Sequence, residues 1–247
     1  MKEITFIPIN KDASMFMDPP IPAAKDLPDW YKEQPAIIGD KIVLNSDGAA
    51  NITVKKCMPV LDDMTAGYYL RLASDTLFTT EPDGSKSCSW SLDTASTINT
   101  STVRAPLPPL ISTHSTEQVS HMPIPNEYNN VPFKWNNYWR IKTPKGYSCL
   151  FRHPSYSDNV PFITFSGLVD TDTHPVAINF PFIIRNDFEG LIPADTPIVQ
   201  IIPFKRQEWN TCVEEFANED GANEFTRSSR KLMHRYKDNW RTLKLWK

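Results

Sequence analysis

Gly167-Leu-Val-Asp-Thr-Asp172, followed further along by Thr196-Pro-Ile-Val-Gln-Ile-Ile202, are the two segments whose reading decides the fold. The first is a short apolar strand that runs into two acidic residues one apart. The second is an apolar strand with a single amide, Gln200, at its centre. A buried amide left without partners costs about 1–3 kcal/mol, so Gln200 on a buried strand calls for something bonded to it. Taken alone, the pair also fits a plain turn with two solvated Asp residues and a Gln bonded to neighbouring backbone.

Outward from these strands the composition keeps the β reading. The chain has 247 residues, 22 of them Pro and only 8 Gly. That much Pro excludes long helices over most of the length and points to short strands with ordered connections. The apolar share of 40% suffices for a sizeable core, and 22% charged residues is ordinary for a soluble protein. A net charge of -3 gives no general attraction to nucleic acid or anionic lipid. Cys57, Cys88, Cys149 and Cys212 are widely spaced with no CxxC pair, and two sit inside apolar strand patterns, which reads as buried reduced thiols. Met1-Lys-Glu-Ile-Thr-Phe6 lacks the apolar core of a secretory signal, and no stretch approaches membrane-spanning length. The expectation is a reducing, cytoplasmic setting without a membrane partner; a virion assembled in the cytoplasm is compatible with it.

Along the chain, residues 3–8 read as a strand, followed by a Pro-punctuated arm over 9–38. Within the arm, Leu27 to Tyr31 predict one helical turn started at Pro28. Trp30 and Tyr31 are the side chains expected to anchor this arm to a neighbouring surface. Lys41 to Leu44 and Ile52 to Lys56 read as strands, as does the alternating stretch 66–80. Glu81-Pro-Asp-Gly84 is a turn, because Pro fixes one φ and Gly supplies a positive one. Ser85 to Val103 returns as a hairpin, and 106–132 is irregular. Phe133 to Lys142, Gly146 to Arg152, Phe162 to Val169, Ala177 to Ile184 and Pro197 to Phe204 complete the strands. Residues 206–220 have a helical look. After Gly221 a second helix is expected, with Phe225, Ser229, Leu232, Met233, Tyr236, Trp240 and Leu243 on one face and a strongly basic remainder. Arg230, Arg235 and Trp240 on it are candidate partner contacts, either packed on protein or facing a nucleic-acid backbone.

Four segments, in order, resemble the motifs of the trimeric dUTPases. Ala66-Gly-Tyr-Tyr-Leu70 is similar to their Ala-Gly-Tyr-Asp-Leu segment, and Pro144-Lys-Gly-Tyr147 to the strand leading into their Arg-Ser-Gly motif. Gly167-Leu-Val-Asp-Thr-Asp172 resembles Gly-Val-Ile-Asp-x-Asp-Tyr, and Ile192 to Gln200 resembles the Gly-Asp-Arg-Ile-Ala-Gln strand. The likeness covers about residues 57–204. It implies an all-β, dUTPase or dCTP-deaminase-like β-clip core (a distorted barrel or sandwich) and a homotrimer. The organisation expected is an arm over 1–56, the β domain over 57–204 with an insertion at about 81–132, and a helical basic extension over 205–247.

What the resemblance implies for chemistry falls on particular residues. Asp170 would activate water, Gln200 would orient it, and Ser155 would bond phosphate beside Arg152, with Asp172 as the second acid. Hydrolysis at an α-phosphate also needs a carboxylate to hold Mg²⁺. Where the family carries that Asp, this chain has Tyr69, and a neutral phenol is a poor ligand for so hard a cation. The Tyr after Asp-x-Asp is Thr173, the Gly-rich closing arm is missing, and Ala177-Ile-Asn-Phe-Pro181 lacks the Glu of the deaminase branch. Elsewhere, His114 and His121 around Gln118 are a thin metal pattern, Asp62-Asp63 reads as a charged turn, and His153 and His174 as polar edge residues. No metal or cofactor is therefore expected. The expectation is a non-catalytic assembly or binding protein on a degenerate trimeric scaffold, a role compatible with a viral structural or accessory protein, whose partners are protein subunits first and a nucleotide or nucleic acid second. The alternative is a divergent, Mg-dependent nucleoside triphosphate pyrophosphohydrolase with Asp170 as base.

Overall fold

The computed structural model describes residues 2–44, 50–90, 108–157, 159–213 and 236–247. Fourteen strands run through the described residues: β1 (Thr5–Pro8), β2 (Ile21–Pro22), β3 (Tyr68–Arg71), β4 (Thr76–Thr80), β5 (Lys86–Trp90), β6 (Ile111–Thr113), β7 (Phe133–Trp135), β8 (Trp139–Lys142), β9 (Tyr147–Arg152), β10 (Phe162–Thr164), β11 (Gly167–Val169), β12 (Phe180–Ile184), β13 (Gly190–Ile192) and β14 (Pro197–Lys205). Every pairing is antiparallel. Three short α-helices accompany them: α1 (Lys11–Phe16), α2 (Asp29–Glu33) and α3 (Met58–Met64). The chain is thus mostly β, as its Pro content and alternation require.

Two compact units emerge, one from Met1–Ala23 and Gly67–Arg206, the other from Ala24–Ala66 and Gln207–Lys247. These borders differ from the ones expected at 56/57 and 204/205: the N-terminal arm is shared between the units, and the C-terminal stretch belongs with residues 24–66.

In the first unit the strands form sheets ordered β11-β9-β14-β3-β2, β10-β12-β7-β6, β13-β4-β5 and β1-β8. Its core is aromatic. Trp135 and Phe182, from adjacent strands, stack at 3.6 Å, and Phe78 and Phe162 meet this pair edge-on. The indole N–H of Trp135 donates to Thr164 Oγ1 at 3.1 Å, and that hydroxyl donates onward to the Ile198 carbonyl at 2.7 Å. A buried polar link of this kind fixes the register of the sheets around it. Gly67 enters β3 at φ +69, and a Cβ there would lie 1.9 Å from the Ile201 carbonyl oxygen, so only glycine lets β3 lie against β14 at this point.

Several expected strands are divided. Phe133 to Lys142 breaks into β7 and β8, in different sheets, because Asn137 turns back on the backbone: its Oδ1 accepts the Trp139 N–H at 2.9 Å and its Nδ2 donates to the Trp139 carbonyl at 2.7 Å. Phe162 to Val169 likewise crosses between sheets after Thr164, and 66–80 divides into β3 and β4. The turn at Glu81–Gly84 forms as expected, with Gly84 at φ +84 and its N–H on the Glu81 carbonyl at 2.8 Å.

In the second unit, α2 starts after Pro28 as expected, and Tyr31 is buried. Its phenol donates to the Lys55 carbonyl at 3.4 Å, while the Lys55 ammonium donates to the Tyr31 carbonyl at 2.6 Å and lies 5.0 Å from the Tyr31 ring centre. The strands expected at 41–44 and 52–56 are instead isolated bridges, Leu44 to Ala50 and Ile37 to Ile52, and a 3-10 turn over Val54–Lys56. Asp62, on α3, accepts from Arg241 at 2.7 Å and Lys244 at 3.0 Å. That double ion pair, with Arg241 first, draws the Asp62 carboxyl below its usual range. The helix expected at 206–220 does not form over its described part, 206–213. Trp209 and Val213 there are 86% and 90% exposed, so this described part has no buried face to hold a helix. Residues 214–235, with the expected second helix, lie outside the described residues; 236–240 form one π turn.

Candidate functional site

Gln200 sits in the middle of β14 and is 0% exposed. Its neighbours in register are Tyr69 on β3 and Arg152 on β9, so three of the residues singled out in the sequence form one row across the sheet, on one face. The amide oxygen of Gln200 is the hub. It accepts from Arg152 Nε at 3.2 Å and Nη2 at 3.1 Å, and from the backbone N–H and hydroxyl of Ser155 at 3.3 and 3.2 Å. Ser155 reaches it because Arg152-His-Pro-Ser leaves the end of β9 and turns back, with Tyr156 at φ 58 completing the bend. His153 helps hold that bend, its Nδ1 accepting the Thr164 N–H at 3.3 Å. Beside Gln200, Tyr69 is buried. The partner that a buried amide demands is therefore a guanidinium and a serine from the next strand.

The acidic pair lies elsewhere on the same sheet. Val169 pairs with Cys149, which carries Asp170 to Ser148, opposite Phe204 rather than Gln200. The offset is four residues along β9, about 13 Å at the rise of a strand. Asp170 accepts the Ser148 hydroxyl at 2.6 Å and pairs with Arg206 at 3.0 Å. Asp172 pairs with the other arm of the same guanidinium at 2.5 Å and accepts the Gly146 N–H at 2.8 Å. The Arg206 bond, then the Gly146 bond, hold the Asp172 carboxyl down to about 2. Asp170, Asp172, Ser148 and Arg206 thus make a charge cluster at the end of β14, with the Asp170 side chain largely exposed, and Arg206 is the residue that sequence reasoning missed. Its only signal was a cation just past the end of the Gln200 strand.

A base must reach the water it deprotonates, and a water-orienting amide must face the same water. Here Asp170 and Gln200 face different partners, one strand end apart. Nor does this donor set suit Mg²⁺: Tyr69 offers a neutral phenol, and the two carboxylates already share a guanidinium. Among the described residues no group of three or more His, Cys, Asp or Glu side chains is placed to hold a metal ion. His114 Nδ1 lies 2.6 Å from Gln118 Oε1, at the start of a 3-10 turn capped by Ser115, and His174 Nδ1 lies 3.0 Å from the Val176 carbonyl. The Cys149 thiol is pushed up to about 11 by burial, against the lowering effect of the Thr171 hydroxyl, and Cys88 is pushed up to about 11 by burial alone. Both are inert as nucleophiles at neutral pH.

Of the expected partner contacts, Tyr31 is buried within its own unit, while Trp30 and Trp240 reach the surface. Arg230 and Arg235 lie outside the described residues. A feature not anticipated is a hollow of about 350 Å³ behind α1, lined by Phe16, Met17, Asp18, Arg71, Trp139 and Asp195 among others. Arg71 faces Asp195 at 3.3 Å and Asp18 at 3.7 Å. No helix among the described residues is long and apolar enough to cross a membrane. Comparison of the chain with family models, with curated proteins and with solved structures finds no match.

Proposed function

We propose that the chain is a non-catalytic assembly protein whose β-rich unit is a rigid body and whose second unit engages neighbouring subunits. The observation that carries the reading is the engagement of Asp170 and Asp172 by Arg206, about 13 Å along the strand from Gln200. Groups that would run hydrolysis in a dUTPase-like site are here bonded to one another, and a carboxylate held by a guanidinium is a weaker base than a free one. Supporting self-association, the second unit holds Ile38, Trp209, Val213, Leu243 and Leu245 at its surface. Burying each such side chain against a neighbour is worth roughly 1.5–3 kcal/mol. A degenerate dUTPase-like β-clip is our reading of the scaffold. Its support is the order of the four motifs and the neighbouring register of Tyr69, Gln200 and Arg152. A homotrimer follows from that reading.

Light scattering coupled to size exclusion tests the assembly. The expected result is an oligomer that the double variant Trp209→Ser, Val213→Ser shifts toward monomer with the β signature of circular dichroism unchanged. A wild-type protein that stays monomeric at the highest soluble concentration contradicts the proposal.

A further inference from the structure

A second hollow in the first unit, about 360 Å³ in volume, is walled almost entirely by uncharged polar groups: Asn126, Tyr128, Asn129, Asn130 and Asn186, with the β4–β5 turn at Gly84 on its rim. Four carboxamides and a phenol meet in one concavity whose lining has no charged side chain. Of the charged residues next to these positions in sequence, Arg185 and Asp187 pair with each other through a two-pronged contact at 2.8 and 2.6 Å, and Glu127 and Asp83 are not part of the lining.

The central group is built, not incidental. Asn129 is only 8% exposed. Its backbone N–H donates to the Ile184 carbonyl at 2.8 Å and its Oδ1 accepts the Val131 N–H at 2.8 Å. With the oxygen so fixed, the Nδ2 group is held in one orientation, and it donates to no group among the described residues. Asn186 is fixed the opposite way round: its Nδ2 donates to the Asn126 carbonyl at 2.9 Å, which leaves its Oδ1 as an acceptor. The side chains of Asn126 and Asn130 and the Tyr128 hydroxyl likewise make no hydrogen bond to the described residues. The hollow therefore presents oriented donors and acceptors together, and an aromatic ring beside them.

That chemistry selects its ligand. A phosphate or carboxylate needs a cation, and the lining has none. A largely apolar ligand needs apolar walls, and only Ile124 and Pro125 supply them. A ligand whose every hydroxyl both donates and accepts, and whose C–H face packs on an aromatic ring, matches the lining group for group. The volume falls at the lower end of the range for small-molecule sites. We propose that this hollow is a binding subsite for a neutral saccharide. It is independent of the assembly reading.

Saturation-transfer-difference NMR of the full chain with glucose, galactose, mannose and N-acetylglucosamine tests it. The variants are Asn129→Asp, which keeps the oxygen that Val131 needs and removes the amide donor, together with Tyr128→Phe and Asn130→Ala, which remove no side-chain hydrogen bond among the described residues. Transfer to at least one sugar is expected, with affinity weakened roughly threefold to tenfold for each polar group removed. No transfer to any of the four, or transfer unchanged in both Tyr128→Phe and Asn130→Ala, overturns the proposal. Should Asn129→Asp fail to fold, the other two variants decide.

Discussion

Replacing Gln200 with Leu removes the hub of the buried row while nearly preserving its volume. The wild-type amide oxygen takes four hydrogen bonds between 3.1 and 3.3 Å from Arg152 and Ser155, at a position with no exposure to solvent. Leu leaves the Ser155 N–H and hydroxyl without an acceptor, and each neutral donor so stranded costs about 1–3 kcal/mol. The hydroxyl can rotate to another acceptor, and the half-buried Arg152 recovers part of its loss from water. Burying an aliphatic side chain instead of an amide offsets about 1 kcal/mol. The net expectation is a loss of about 2–4 kcal/mol, or a melting temperature lowered by roughly 5–15 °C for a chain of this size. Gln200→Glu keeps the acceptor and faces Arg152 with a carboxylate, so at neutral pH it should cost less than Leu. Urea unfolding followed by circular dichroism, with scanning calorimetry beside it, reads both variants. A Leu variant within about 0.5 kcal/mol of wild type, the usual span of inconsequential surface changes, would refute the reasoning, as would Glu costing more than Leu.

Two further outcomes follow from the same sheet. Gly67→Ala combines a left-handed φ, worth about 1–2 kcal/mol for a side chain, with a collision against the Ile201 carbonyl that typically adds 1–3 kcal/mol of overpacking; a fall of about 2–5 kcal/mol is expected in the same unfolding assay, and an unchanged midpoint contradicts the close approach of β3 to β14. Asp172 has its folded value lowered to about 2 from an ordinary 3.8, so its contribution to stability is complete above about pH 4 and is lost as pH falls toward 2. Asp172→Asn should therefore be less stable than wild type at neutral pH and show a shallower loss of stability through that acid window, read as melting temperature against pH; parallel curves for the two proteins would contradict the Arg206 pairing.

How much of this was legible in the sequence depends on how local each signal is. The demand of Gln200 for a partner was readable, because a lone amide in an apolar strand states its own cost. The partner's identity was half readable: Arg152 and Ser155 were singled out, but as groups for a ligand rather than for Gln200. The separation of Asp170 from Gln200 depends on the register of β9 against β14, a long-range property that no local pattern encodes. Arg206 escaped notice for the same reason. The break between β7 and β8 was written in Asn136-Asn137, an amide pair in the middle of an aromatic strand whose side chains compete for backbone bonds. The helix α1 carried a signal in Asn10, whose Oδ1 accepts the Ala13 N–H at 2.8 Å as an N-cap, and α3 in Pro59 at its first turn. Both helices are too short for periodicity to reveal.

Pyrophosphate release from dUTP and the other nucleoside triphosphates in the presence of Mg²⁺, measured on wild type and on Asp170→Asn, tests the central claim most directly. The account predicts no release above background for either protein, because Asp170 is bonded to Ser148 and Arg206 and lies apart from Gln200. Turnover of any nucleotide by the wild type that Asp170→Asn abolishes would contradict it and make the protein a hydrolase.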